Sequence, residues 1–203
     1  RFVMTRWLLT AVCIAGLLPA AGAAPAEVGK TAPVFTLTST EGKKVKLEAY
    51  RGKTVVLEWT NYDCPFVKKH YGPGNMQRLQ KAYTQRGVVW LSVCSSAPGK
   101  QGHYPAAAWK EKIAERKAAP TAVLLDPDGR VGKAYGAKTT PHMFVIDADG
   151  ILRYAGAIDD QPSWNPATLK DARSYVREAL DALLAGKEVP TPGTRPYGCS
   201  VKY

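Results

Sequence analysis

The chain has 203 residues, 45% apolar and 22% charged, which excludes a collagen-like or disordered polymer and leaves one domain room for a core without disulfide staples. Lys and Arg outnumber Asp and Glu by 28 to 17, for a net charge of +11. No run of five basic residues occurs, so the excess favours solubility and argues against nucleic-acid binding.

In chain order, a leader comes first. Arg6 precedes an apolar stretch from Trp7 to Leu18, and Ala21-Gly22-Ala23 supplies a small-x-small cleavage pattern, with Met4 available as a start. Residues 1–23 are read as a signal peptide whose apolar run is short for a bilayer span. The expectation is a periplasmic or secreted protein with no stable membrane insertion after cleavage. Residues 24–187 are expected to form one domain, and residues 188–203 a flexible Pro- and Gly-rich tail carrying Cys199.

Val34 to Leu37 and Lys44 to Leu47 flank Glu41-Gly42 and predict a hairpin. Thr54 to Thr60 (TVVLEWT) is a buried strand with one carboxylate, and residues 65–86 are helical with a break at Gly72-Pro73-Gly74. Val88 to Val93 is a second buried strand, Pro105 to Lys117 a helix, and Ala122 to Leu125 a third strand before Asp126-Pro127-Asp128-Gly129. Met143 to Asp147 and Ile151 to Ala157 pair across Ala148-Asp149-Gly150. Asn165 and Pro166 open a last helix whose apolar face runs from Leu169 to Leu183 and which Gly186 ends. Strand–helix alternation followed by a terminal hairpin predicts an α/β fold: a three-layer α/β/α sandwich with a mixed central sheet and an N-terminal β-hairpin extension.

Removal of the leader leaves Cys64, Cys94 and Cys199. An odd number of cysteines in an oxidising compartment points to thiol chemistry. Cys64 follows the first long strand and precedes Pro65, so it sits at a helix start on the rim where strand ends gather function. The helix N-terminus favours its thiolate, Lys68 one turn on adds to that, and Asp63 opposes it. Phe66, Tyr62, Tyr71 and Trp59 surround the cysteine in sequence as core or cleft lining. The loop from Ser95 to Tyr104 is polar and Gly-containing, suited to contact a substrate. His70, His103 and His142 match no zinc spacing, so no metal is expected; His70 is taken as a helix-surface residue and His142 as a lining residue.

TVVLEWT, then Asn61-Tyr62-Asp63-Cys64-Pro65-Phe66-Val67, then Thr139-Thr140-Pro141-His142 before MFVID, resembles the thioredoxin superfamily. The likeness is nearest to its redoxin branch, the alkyl hydroperoxide reductase/thiol-specific antioxidant-like proteins, and runs over roughly residues 28–203. It implies that Cys64 is the attacking thiol and that Thr140-Pro141 is cis, with the backbone of Thr140 placed to bond an extended substrate. It also implies that Glu58 is a buried carboxylate assisting proton transfer; the alternative is an ion pair with a lysine at the sheet edge. The chain departs from the pattern at Val67, where dithiol members carry a second cysteine. It departs again at Asn61, where peroxiredoxins carry threonine, and nothing matches their peroxide-positioning arginine.

The resolving thiol is then Cys94, by its place at a strand end, or Cys199, by the GCSVKY ending; a Cys94–Cys199 bridge is the third arrangement. The expected function is a peroxiredoxin-like thiol redox enzyme without cofactor, acting on a peroxide or a protein disulfide and reduced by an unidentified thiol donor. Its catalytic residues are Cys64, Glu58, Cys199 and Cys94, and Thr140, Pro141, Phe66 and Asn61 meet the substrate. The alternatives are thiol–disulfide exchange without peroxidase activity and a non-enzymatic binding module.

Overall fold

The computed structural model describes residues 25–203; the leader expected over residues 1–23 lies outside them. Its organising feature is a seven-stranded mixed sheet in the order β2-β1-β5-β4-β3-β7-β8. The apolar runs form its centre, because strands buried on both faces need no polar side: β3 (Val55–Trp59) pairs in parallel with β4 (Val89–Cys94), and β4 with β5 (Ala122–Leu125). The parallel pairs require crossovers, supplied by α1 (Pro65–Tyr71) with α2 (Asn75–Thr84), and by α3 (Ala106–Glu115). On one side, β7 (His142–Ile146) runs antiparallel to β3, setting His142 opposite Trp59, and β8 (Leu152–Gly156) closes that edge. On the other, the hairpin of β1 (Thr36–Ser39) and β2 (Lys44–Lys46) adds to β5 through β1.

Side chains alternate across the central strands and build two cores. Val56, Trp90, Val123 and Val145 meet Val67, Leu79, Trp109 and Leu180 on the face covered by α1, α2, α3 and α5 (Tyr175–Leu184). Val55, Leu57, Trp59, Leu91 and Val93 meet Phe35, Leu47, Val131 and Tyr135 on the other. Trp59 and Trp90 are fully buried on opposite faces, each contributing roughly 4–6 kcal/mol of apolar burial before entropy is counted.

Three details differ from expectation. A short helix, α4 (Arg130–Tyr135), follows the Asp126–Gly129 turn; the Asp126 carboxylate accepts the backbone N–H groups of Val131 (3.3 Å) and Gly132 (2.9 Å), so a side chain from before the turn stabilises a helix too brief for periodicity to show. The last helix is not continuous. Asn165 caps only a 3-10 turn, Pro166–Asp171, and Ala172 is extended. Asp160 holds the backbone N–H of Arg173 at 2.9 Å, after which Ser174 caps α5 by accepting from Arg177 N–H at 3.3 Å. The third detail is the tail, which is tied down rather than loose: Thr194 N–H donates to Ala155 O at 3.1 Å, Ala97 N–H to Lys202 O at 2.8 Å, and Val201 N–H to Lys138 O at 3.0 Å. Beside these, β6 (Thr139–Thr140) and β9 (Cys199–Ser200) form a separate two-stranded sheet. Among the described residues no helix is long and apolar enough to cross a membrane.

The split helix makes its two caps unequal. Ser174→Ala should lower unfolding stability in urea by about 1 kcal/mol, because it uncaps α5, whose Val176, Ala179 and Leu180 enter the core. Asn165→Ala, which frees only the 3-10 turn, should cost less; equal losses would contradict the split.

Candidate redox site

The site is built where α1 meets the carboxyl end of β3. Cys64 is the N-cap residue of α1, Pro65 takes the first helical position with its fixed φ, and the Cys64 carbonyl accepts Lys68 N–H at 2.9 Å. The Cys64 side chain is fully buried, and its Sγ–H donates to the Thr140 carbonyl at 3.1 Å. Thr140–Pro141 is cis. Thr140 in turn pairs with Cys199 in the β6–β9 ladder. One residue thus touches both cysteines.

The two thiols titrate in opposite directions. Burial resists ionisation of Cys64, but donors outweigh it: the Cys199 thiol, the Thr140 side chain, and the backbone N–H groups of Val67 and Cys199 hold Cys64 below the ordinary thiol range. The Thr140 hydroxyl is buried with no other partner, so it is free to serve the thiolate. Cys199 is pushed up to about 11, by burial and then by its hydrogen bond to Cys64 and the Cys64 charge. Lys68 is exposed on the outer side of the helix.

Cys94 stands apart. Its Sγ–H donates to the Gly102 carbonyl at 3.4 Å, and burial raises its pKa, with Asp126 and Asp63 adding to the rise. The three cysteines among the described residues are free thiols, and it is Cys199 that hydrogen-bonds to Cys64.

Glu58 lies on the central strand β3 with its carboxylate wholly buried. It faces no lysine. Tyr71 Oη donates to Oε1 at 2.9 Å; Trp90 Nε1 (2.8 Å), Ser92 Oγ (2.9 Å) and Gln80 Nε2 (3.1 Å) donate to Oε2. Burial raises the Glu58 pKa above its ordinary 4.5, and the four hydrogen bonds only partly offset that rise. Asn61 spends its side chain on the chain itself, donating to the Gln101 carbonyl at 3.3 Å and accepting Asp63 N–H at 3.0 Å, so it ties the Ser95–Tyr104 loop to the turn before Cys64. Phe66 packs edge-on against Trp164 and Tyr197, with ring centroids 6.1 and 5.9 Å away.

The histidines part company with expectation in one case. His70 is fully buried, not on a helix surface, because the 159–161 loop and Tyr197 cover that side of α1; burial and then Lys69 lower its pKa to about 3. His142 is buried in β7, its ring centroid 4.4 Å from that of Phe144, with its pKa lowered to about 4 by burial and then by Lys138. His103 is exposed. Sequence reasoning missed Tyr197 and Asp159, whose importance comes from contacts across more than 85 residues of chain.

The AhpC/TSA family model matches residues 28–155. The thiol-disulfide oxidoreductase ResA of Geobacillus thermodenitrificans is 32% identical over 126 residues, 62% of this chain and 67% of that protein. The peroxiredoxin Bcp of Bacillus subtilis is 25% identical over 167 residues, 77% of this chain and 94% of that protein. Among solved structures, an uncharacterized conserved protein from Geobacillus kaustophilus is similar with a TM-score of 0.74 at 30% identity, covering 87% of this chain and 92% of that one. The chain spans about two thirds of the length of the ResA proteins it matches.

Two measurements probe the electrostatics. Cys199→Ala removes the thiol donor that favours the Cys64 thiolate and leaves the backbone N–H, so the pH profile of Cys64 alkylation should move to higher pH; an unmoved profile would separate the two thiols. The raised pKa of Glu58 means that above pH 4.5 the folded state holds a proton the unfolded chain has released. Stability should therefore fall as pH rises from there through the folded pKa, and Glu58→Gln should flatten that slope in urea titrations.

Proposed function

The chain belongs to the AhpC/TSA family, and on that footing we propose an exported, thiol-dependent redox enzyme in which Cys64 reduces a hydroperoxide and Cys199 resolves it. The observation that carries this reading is the pairing of Cys199 with Thr140, the residue whose carbonyl receives the Cys64 thiol. Export rests on the leader pattern of residues 1–23.

In the cycle, the Cys64 thiolate attacks the terminal peroxide oxygen. An S–O bond forms, the O–O bond breaks, and the alkoxide or hydroxide leaves with a proton, so Cys64 becomes a sulfenic acid. Its negative charge is then gone, and with it one of the influences that hold Cys199 protonated. Cys199 sulfur attacks Cys64 sulfur; the S–S bond forms, the S–O bond breaks, and hydroxide departs as water with the Cys199 proton. An external dithiol reduces the disulfide and becomes oxidised in turn. Thr140 bonds to both partners, Pro141 follows it in the chain, and Phe66, on the helix that Cys64 caps, packs against Tyr197 and Trp164. Glu58 contributes a buried acid under the strand rather than a contact to Cys64.

Access favours one substrate class. Cys64 is 0% exposed and the Thr139–Thr140 edge is filled by the chain's own β9, so the closed site suits a small oxidant better than a protein disulfide. The second reading, thiol–disulfide exchange, is favoured by β9 itself: an extended segment bearing a cysteine already sits on that edge, the seat a substrate strand would take.

Stoichiometric hydroperoxide added to the reduced protein, followed by intact mass and peptide mapping, tests both. Rapid formation of a Cys64–Cys199 disulfide is the expected result. Cys64→Ser should abolish turnover, Cys199→Ser should stop at the Cys64 sulfenic acid, and Cys94→Ser should turn over normally. A thiol that survives peroxide but forms mixed disulfides with an oxidised protein would select the exchange reading.

A further inference from the structure

Resting on the reading that Cys199 resolves Cys64, we propose that Tyr197 is a positioning residue: its hydroxyl latches the tail to α1 and so sets Cys199 against Cys64. The latch lies two residues before Cys199. Tyr197 Oη donates to Asp159 Oδ1, and at 3.3 Å it meets both Lys69 Nζ and His70 Nε2. Lys69 Nζ donates to the Gln161 carbonyl at 2.6 Å and stands 3.7 Å from Asp159 Oδ2.

Three segments meet there. Lys69 and His70 lie on the helix that Cys64 caps, Asp159 and Gln161 belong to the loop after β8, and Tyr197 belongs to the tail. The lysine, histidine and aspartate side chains are essentially inaccessible, 0%, 0% and 3% exposed. A buried ion pair seldom stabilises a fold more than apolar side chains of the same volume, so its presence is better explained by the geometry it enforces. The geometry in question is narrow. The ladder that seats Cys199 spans only Thr139–Ser200 and Thr140–Cys199, too short to set a strand by itself. Gly198, between latch and thiol, has φ 137°, and a Cβ there would collide with the Thr140 carbonyl. The tail is thus drawn hard against Thr140, with Tyr197 anchoring one flank and Val201 N–H on Lys138 O the other.

A structural latch would affect stability and every step alike; a positioning latch affects one step. Tyr197→Phe keeps the ring that Phe66 packs against and removes only the hydroxyl. In a Cys94→Ser background, Cys64 consumption by stoichiometric hydroperoxide and formation of the Cys64–Cys199 disulfide are timed separately by acid quench and intact mass. At a pH above the Cys64 alkylation midpoints of both proteins, where displacing the Cys199 donor no longer changes the thiolate fraction, oxidation of Cys64 should stay within about twofold of the parent, while disulfide formation should slow on the order of tenfold, since small misplacements of reacting groups cost that much or more. Asp159→Asn should slow the same step, and the urea midpoint of Tyr197→Phe should move little. Unchanged disulfide formation in Tyr197→Phe, or equal loss of both steps together with stability, would overturn the latch. If the parent never forms the Cys64–Cys199 disulfide, it is the reading of Cys199 as resolving thiol that fails, and the latch with it.

Discussion

The candidate site is organised around the backbone of Thr140. Its carbonyl accepts the Cys64 thiol, its ladder partner is Cys199, and its hydroxyl is left free beside them. Two cysteines 135 residues apart in sequence become neighbours because one residue serves each with a different group. Closeness contributes to their opposed pKa directions: the Cys199 thiol favours the Cys64 anion, and that anion, after burial, holds Cys199 protonated. The proposed division of roles, with Cys64 as nucleophile and Cys199 as its proton-bearing partner, rests on that difference.

Around this hub lie several buried polar groups, some richly bonded and some, like the Thr140 hydroxyl, left without a partner. Glu58 is an extreme case, a carboxylate under the sheet with four donors converging from α1, α2 and β4. Those bonds lock helices to strand ends just below Cys64, so the cost of burying an acid supports the rigidity of the rim. Farther out, the Lys69–Asp159–Tyr197 knot joins the tail to α1 through polar contacts.

What the amino-acid sequence reveals is what local pattern encodes. Val55 to Trp59 and Val89 to Cys94 show themselves as apolar runs, Ala122–Leu125 lies where its pattern puts it, and Cys64-Pro65 marks a helix start by itself. The failures share one cause: a distant group overrides local pattern. Arg130–Tyr135 is helical because Asp126 reaches its first N–H groups, and the apolar face from Leu169 to Leu183 is broken because Asp160 captures Arg173. His70 reads as a surface residue until the tail is laid over it. The choice between Cys94 and Cys199 was open for the same reason. Cys94 has a place that strand order predicts, whereas Cys199 owes its place to two ladder pairs and a tyrosine.

The β6–β9 ladder has one more consequence. An edge of extended backbone is a template that recognises main chain rather than sequence, and native proteins cover such edges to avoid joining one another. Here the cover is two residues long and belongs to a segment that closes from outside the main sheet. When it lifts, the bare edge of one molecule and the freed tail of another are complementary surfaces. The ladder that seats Cys199 within one chain is therefore also the seam at which exchange between two chains would occur.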